Sequence, residues 1–102
     1  MYLLNGKLTA KKGHSEELAS ILIEASQLVA KAKGCHIYLI SKDNQQNTDD
    51  VHITEVWDTK EDHDNSLKDD NVRNLIMKAM PLLEGQPTKG QELEVIGGMG
   101  IK

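Results

Sequence analysis

The sequence predicts an α+β domain of βαββαβ order, an antiparallel sheet with its helices on one face. Three observations predict it. Four stretches, at residues 2–10, 35–42, 51–58 and 91–97, alternate or carry the apolar content of strands. Residues 15–33 carry apolar side chains at helical spacing. A second helical region follows residue 59, yields near Lys68 to Asp70, and resumes until Pro81. That order of elements is the ferredoxin-like one.

The first strand, YLLNGKLTA, places Tyr2, Leu4, Leu8 and Ala10 on one face and Leu3, Asn5, Lys7 and Thr9 on the other. Lys11, Lys12 and Gly13 break it. In the first helix Leu18, Ile21, Leu22, Ala25, Leu28, Val29 and Ala32 form one stripe. Ser15 is the expected N-cap, with Glu16 and Glu17 set against the helix dipole, and Gly34 is placed to end the helix. The polar run at 43–50 joins the second and third strands as a hairpin. Thr59 is placed to cap the next helix, with Asp62 three residues on. In the last helix Val72, Leu75, Ile76, Ala79 and Met80 share a face.

Strand parity then predicts two sheet faces. Leu4, Leu8, Cys35, Ile37, Leu39, Val51, Ile53, Leu93 and Val95 form the more apolar one, assigned to the helices, and Gly6, Glu55 and Trp57 share its parity. The other carries Leu3, Tyr38, Ile40, Val56 and Ile96 among Asn5, His36, His52, Glu92 and Glu94. This second face is too apolar for open solvent, which predicts a sheet-to-sheet homodimer of the dimeric α/β barrel type. A single bulge would invert part of the assignment.

Composition narrows the function. The chain has 102 residues, 12 basic and 16 acidic, for a net charge of -4. One domain is expected, residues 1–97, with a flexible tail at 98–102. The acidic balance argues against nucleic acid, and no apolar run reaches the ~20 residues of a membrane helix. The single Cys35 makes no internal disulfide and fits a reducing cytoplasm. The segments of sequence predict no metal site: His36 and His52 can at most pair across the hairpin, and neither Cys-x-x-Cys nor His-Glu-x-x-His occurs. Gly97, Gly98, Met99 and Gly100 are no dinucleotide fingerprint, because no helix follows.

Chemistry concentrates where the third strand meets the second helix. Glu55 on an apolar face is a base or a ligand anchor if desolvation raises its pKa; equally, it is a structural hydrogen-bonding group. Trp57 walls a flat ligand or plugs the core. His63 and Ser66, three residues apart, share a helix face and supply a proton carrier and a donor to an oxyanion. No carboxylate is evidently placed to make them a hydrolytic triad.

These residues resemble the antibiotic biosynthesis monooxygenase family of small ferredoxin-like dimers over residues 2 to about 96. The marks are the first strand followed by Lys12-Gly13, the helix closing on Lys33-Gly34-Cys35, the strand ending Glu55-Val56-Trp57, and Pro81-Leu82-Leu83. The resemblance implies a pocket between sheet and helices in each subunit, and, as in the quinol monooxygenases of the family, oxidation of a quinol or related electron-rich phenol by O2 with no cofactor. His63, Glu55 and Trp57 are then the catalytic candidates, and Ser66, Gly6 and Asn71 the substrate-binding ones, Gly6 leaving room on the sheet floor. Many members carry two histidines after the tryptophan, where this chain has Ser66 and Asn71. The haem-degrading branch has an asparagine, a tryptophan and a histidine where this chain has Gly6, Ser66 and Ile76, which argues against haem degradation. The alternative expectation is a non-enzymatic dimeric module that binds a small ligand in the same pocket.

Overall fold

The computed structural model describes residues 1–42, 49–87 and 90–100. Residues 43–48 of the expected hairpin loop and 101–102 of the expected tail lie outside them. The elements are β1 (Tyr2–Thr9), α1 (Ser15–Val29), β2 (Cys35–Lys42), β3 (Asp50–Trp57), α2 (Lys60–Ser66), α3 (Asp70–Ala79) with a 3₁₀ turn at Met80–Leu82, and β4 (Gln91–Glu94). The sheet order is β2-β3-β1-β4 and every pairing is antiparallel, so the ferredoxin-like α+β fold is present.

The helices form for the reasons the sequence suggests, with two differences at α1. It begins after His14, which makes no side-chain capping bond, and Ser15 is its first helical residue. It ends at Val29 rather than at residue 33. Beyond it, Lys31 and Ala32 donate to Leu28 and Val29 in tighter turns, and Gly34, at φ +84°, reverses the chain into β2. Thr59 caps α2 by accepting from the Asp62 amide at 3.1 Å. Asp69 caps α3 through the Asn71 and Val72 amides.

Leu18, Leu22, Ala25 and Val29 of α1 and Val72, Leu75 and Ala79 of α3 are buried, which covers one sheet face with a helical layer. One apolar cluster joins Leu18 and Leu22 to Val51, Ala79 and Leu83; a second joins Val29 and Val72 to Trp57. Leu18, Val51 and Trp57 are the largest fully buried side chains. Each contributes about 1.5–3 kcal/mol of burial, more for the indole.

Strand registers correct part of the predicted face assignment. In β3 and β1 it is as expected: Leu4 pairs with Glu55, Gly6 with Ile53 and Leu8 with Val51, all toward the helices. In β2 a bulge intervenes. Cys35 pairs with Trp57, yet Ile37 pairs with Val56, so His36 is one residue too many and reverses every later side chain. Tyr38 and Ile40 therefore face the helices, opposite Glu55 and Ile53, and Ile37 and Leu39 face outward. Leu39 is 55% exposed. In β4 the expectation is also reversed. Glu92 pairs with Leu4 and shares its face, whereas Leu93 pairs with Leu3 on the outer one. The physical reason is a pair of contacts from distant parts of the chain. Glu92 is not left in apolar surroundings, because the Tyr2 hydroxyl and Lys60 meet it.

Candidate active site

The sequence places Glu55 and Trp57 two residues apart, so both project from the end of β3 under the helical layer. The Trp57 indole N–H donates to Glu55 Oε1 at 3.0 Å. Thr59 then turns the chain and starts α2, which returns across the strand ends and carries His63. The imidazole is wedged between two rings: 5.7 Å from the Tyr2 centroid, tilted, and 5.8 Å from that of Trp57, edge to face. Its Nε2 lies 3.8 Å from Glu55 Oε1 and its Nδ1 is 2.9 Å from Asp64 Oδ1. Asp64 is a carboxylate acceptor, so it selects the Nδ1–H form and aims Nε2 at Glu55.

The electrostatics follow from this stacking. Glu55 is 7% exposed. Burial pushes its carboxyl above the usual range, against the Trp57 hydrogen bond and the nearby His63, which both favour the charged form. Burial also raises Tyr38, with Glu55 adding to the effect. Tyr2 is pushed up to about 12, first by burial and then by its 3.1 Å bond to Glu92. Asp64 is held below the ordinary range by the His63 hydrogen bond.

A cavity of about 40 Å³ lies between the sheet and the two long helices. Its polar members are Tyr38, Glu55 and Ser66, and the rest are aliphatic side chains of α1, α3 and the α2–α3 joint. The volume is well under the roughly 300–1,000 Å³ of a formed small-molecule pocket. Ser66, Val29 and Val72 also line a larger cleft on the surface, so the wall between cavity and exterior is one side chain thick there.

The structure thus brings Glu55, Trp57 and His63 together. Ser66 lines the cavity, but its hydroxyl donates to the His63 carbonyl at 2.6 Å and not to the ring. No Ser–His–carboxylate relay is formed there. Gly6 and Asn71 do not line the cavity, although Asn71 lines the surface cleft beside it together with Ser66. A Cβ on Gly6 would meet only the Gly90 backbone, and Asn71 is exposed in the first turn of α3. Sequence reading missed Tyr2 and Tyr38 as neighbours of the site. Tyr2 carried the right parity signal, and Tyr38 carried the wrong one because of the bulge. Among the described residues no group of three or more His, Cys, Asp or Glu is placed to hold a metal ion, and no helix is long and apolar enough to cross a membrane.

Residues 1–77 match the family model described as antibiotic biosynthesis monooxygenase. No curated protein matches the chain at a significant level. A solved protein of Chloroflexus aurantiacus, named as a candidate antibiotic biosynthesis monooxygenase, is 34% identical at a TM-score of 0.86, with 99% of this chain and 98% of that one covered. A Deinococcus radiodurans protein of the same designation is 26% identical at 0.81, covering 100% and 99%. The cofactor-independent oxygenase SnoaB of Streptomyces nogalater shares the fold at 0.78 with 10% identity, covering 96% and 95%.

Proposed function

Because the chain belongs to the antibiotic biosynthesis monooxygenase family, we propose that it is a cofactor-independent monooxygenase that oxidises a quinol or related electron-rich phenol with O2. The observation that carries this reading is the Glu55 carboxylate, held by Trp57 and His63 on the wall of an apolar cavity. A quinol and O2 together hold the atoms of a hydroxyquinone and water, so the substrate itself supplies all four electrons that O2 takes up. The protein's part is to ionise the phenol and exclude water.

Of the two base candidates, Glu55 lines the cavity and His63 stands behind it. Glu55 accepts the phenolic proton, and its raised pKa brings it nearer the working pH of a general base. His63, oriented by Asp64 with its Nε2 toward Glu55, receives the proton onward. The phenolate then gives an electron to O2 in a site of low dielectric. Ring entry requires the aliphatic wall near Ser66 and Val72 to move, since the closed cavity is too small for a ring.

The exposed Leu39 and Leu93 support a homodimer that associates through the outer sheet face. The free Cys35 fits a reducing cytoplasm. One observation favours a second reading. Ser66 and Asn71 stand where many relatives carry histidines, and the Ser66 hydroxyl is committed to a backbone carbonyl. A non-enzymatic dimeric binding module would retain the cavity without turnover.

Incubation with a panel of quinols in air and under nitrogen decides between them. The oxygenase yields product with matching O2 consumption in air alone. Equal product in both atmospheres, or none from any quinol, sinks the enzyme reading.

A further inference from the structure

We infer that Tyr38 is a substrate-binding residue, whose hydroxyl donates to the same phenolic oxygen that gives its proton to Glu55, and that the substrate is a single-ring phenol. This rests on the phenol-oxidising reading for its ligand class.

The bulge at His36 is what brings Tyr38 to the cavity. In unbroken alternation from Cys35, His36 would stand opposite Val56 and Tyr38 would face outward, opposite Thr54. With it, Tyr38 is the direct cross-strand partner of Glu55, a distance at which side chains of a pair meet one ligand atom. The bulge is pinned from outside: His36 Nε2 lies 2.6 Å from Asp58 Oδ1, and the Asp58 amide donates to the Gly34 carbonyl at 2.8 Å.

Tyr38 and Glu55 both line the cavity, and both have unused hydrogen-bonding capacity. Glu55 Oε1 takes the indole N–H, but among the described residues its other oxygen has no partner, and neither has the Tyr38 hydroxyl. Among the described residues no fully enclosed side-chain oxygen or nitrogen lacks a partner, so each of these groups reaches open volume. One is a donor kept protonated by its surroundings, and the other is an acceptor when ionised. A phenol satisfies both. Its O–H points to Glu55, and its oxygen lone pair receives the Tyr38 hydrogen. On ionisation the proton moves to Glu55, and the phenolate oxygen keeps the Tyr38 bond, now charge-assisted. The remaining wall is aliphatic, which suits a ring edge. A starting volume of about 40 Å³ admits one ring by side-chain movement, whereas a fused polycycle would have to part α1 from α3.

Calorimetric titration under nitrogen tests this without turnover, using hydroquinone and toluene as probes on the intact protein and on Tyr38→Phe. The expected result is that wild type binds hydroquinone, that Tyr38→Phe weakens that binding roughly tenfold, and that toluene binds both equally. A thermal unfolding midpoint unchanged in Tyr38→Phe shows that the fold is kept. Equal hydroquinone binding by the two proteins, or none by wild type, overturns the inference. If hydroquinone binds as expected but O2 yields no product in air, the oxygenase reading fails while Tyr38 remains a binding residue.

Discussion

The Trp57 indole and the Glu55 carboxylate share a hydrogen bond of 3.0 Å across two residues of one strand, and both are buried. The bond ties the one tryptophan of the chain to the least exposed carboxylate among the described residues. It also opposes the rise that burial imposes on that carboxyl. Trp57→Phe removes the donor and leaves the ring plane. We expect a loss of ~2–4 kcal/mol in denaturant unfolding near neutral pH, from a charged hydrogen bond and the volume removed. The Glu55 carboxyl titration, followed by carbon NMR, should move further upward.

Glu55 itself links pH to stability. Its folded pKa stands above the ordinary 4.5, so the folded state holds a proton that the unfolded chain has already released. The associated stability is present in full below pH 4.5 and is lost as pH rises through the folded value. Glu55→Gln keeps an acceptor for the indole and removes this dependence. Unfolding free energies measured across that range should decline for wild type relative to the variant. If Glu55 is the proton acceptor, turnover of a quinol should fall ~10²–10⁴-fold in the variant.

Gly34 is the hinge between α1 and β2 at φ +84°, and an added Cβ would collide with the Asp62 carboxylate. Gly34→Ala should cost ~1–2 kcal/mol for the left-handed backbone alone, and more for the collision. Adding Asp62→Ala should restore only the collision part. The Asp62 amide, not its side chain, is what Thr59 caps. Denaturant midpoints of the two single variants and the double variant separate the two contributions.

Leu39 and Leu93 are 55% and 45% exposed on the outer sheet face. If that face associates two copies, Leu39→Asp should convert a sedimenting dimer to a monomer. Its far-ultraviolet circular dichroism should be unchanged, because Leu39 contributes to neither core cluster. A wild-type protein that sediments as a monomer at micromolar concentration would contradict the dimer.

Much of the fold is legible in the chain because its signals are local. The α1 stripe, the Thr59 cap and Pro81 each act within a few residues of themselves. The Glu55–Trp57–His63 grouping is legible for the same reason: strand parity and an immediate helix start bring the three together. Tyr38 is not legible, because a bulge changes parity without any residue that demands it; His36 reads as an ordinary strand position. β4 misleads in a different way. Alternation in QELEVIG shows that two faces differ, but not which faces the helices, and the answer depends on Tyr2 and Lys60, distant in sequence. Gly6 and Asn71 drew attention through a family pattern rather than through neighbours, and neither lines the cavity, though Asn71 lines the cleft next to it.

The surplus residue at His36 gives β2 two possible phases on one backbone path. In the present phase Tyr38 is on the ligand side and Leu39 on the side open to a second copy. Ironing out the bulge with every residue kept would set His36 opposite Val56, Ile37 opposite Glu55 and Tyr38 opposite Thr54, with no substitution anywhere. An isoleucine would then replace the phenol hydroxyl in the cavity wall, and a tyrosine would replace a leucine on the association surface. Register at this point, rather than residue identity, therefore sets both what the interior can recognise and how the exterior pairs.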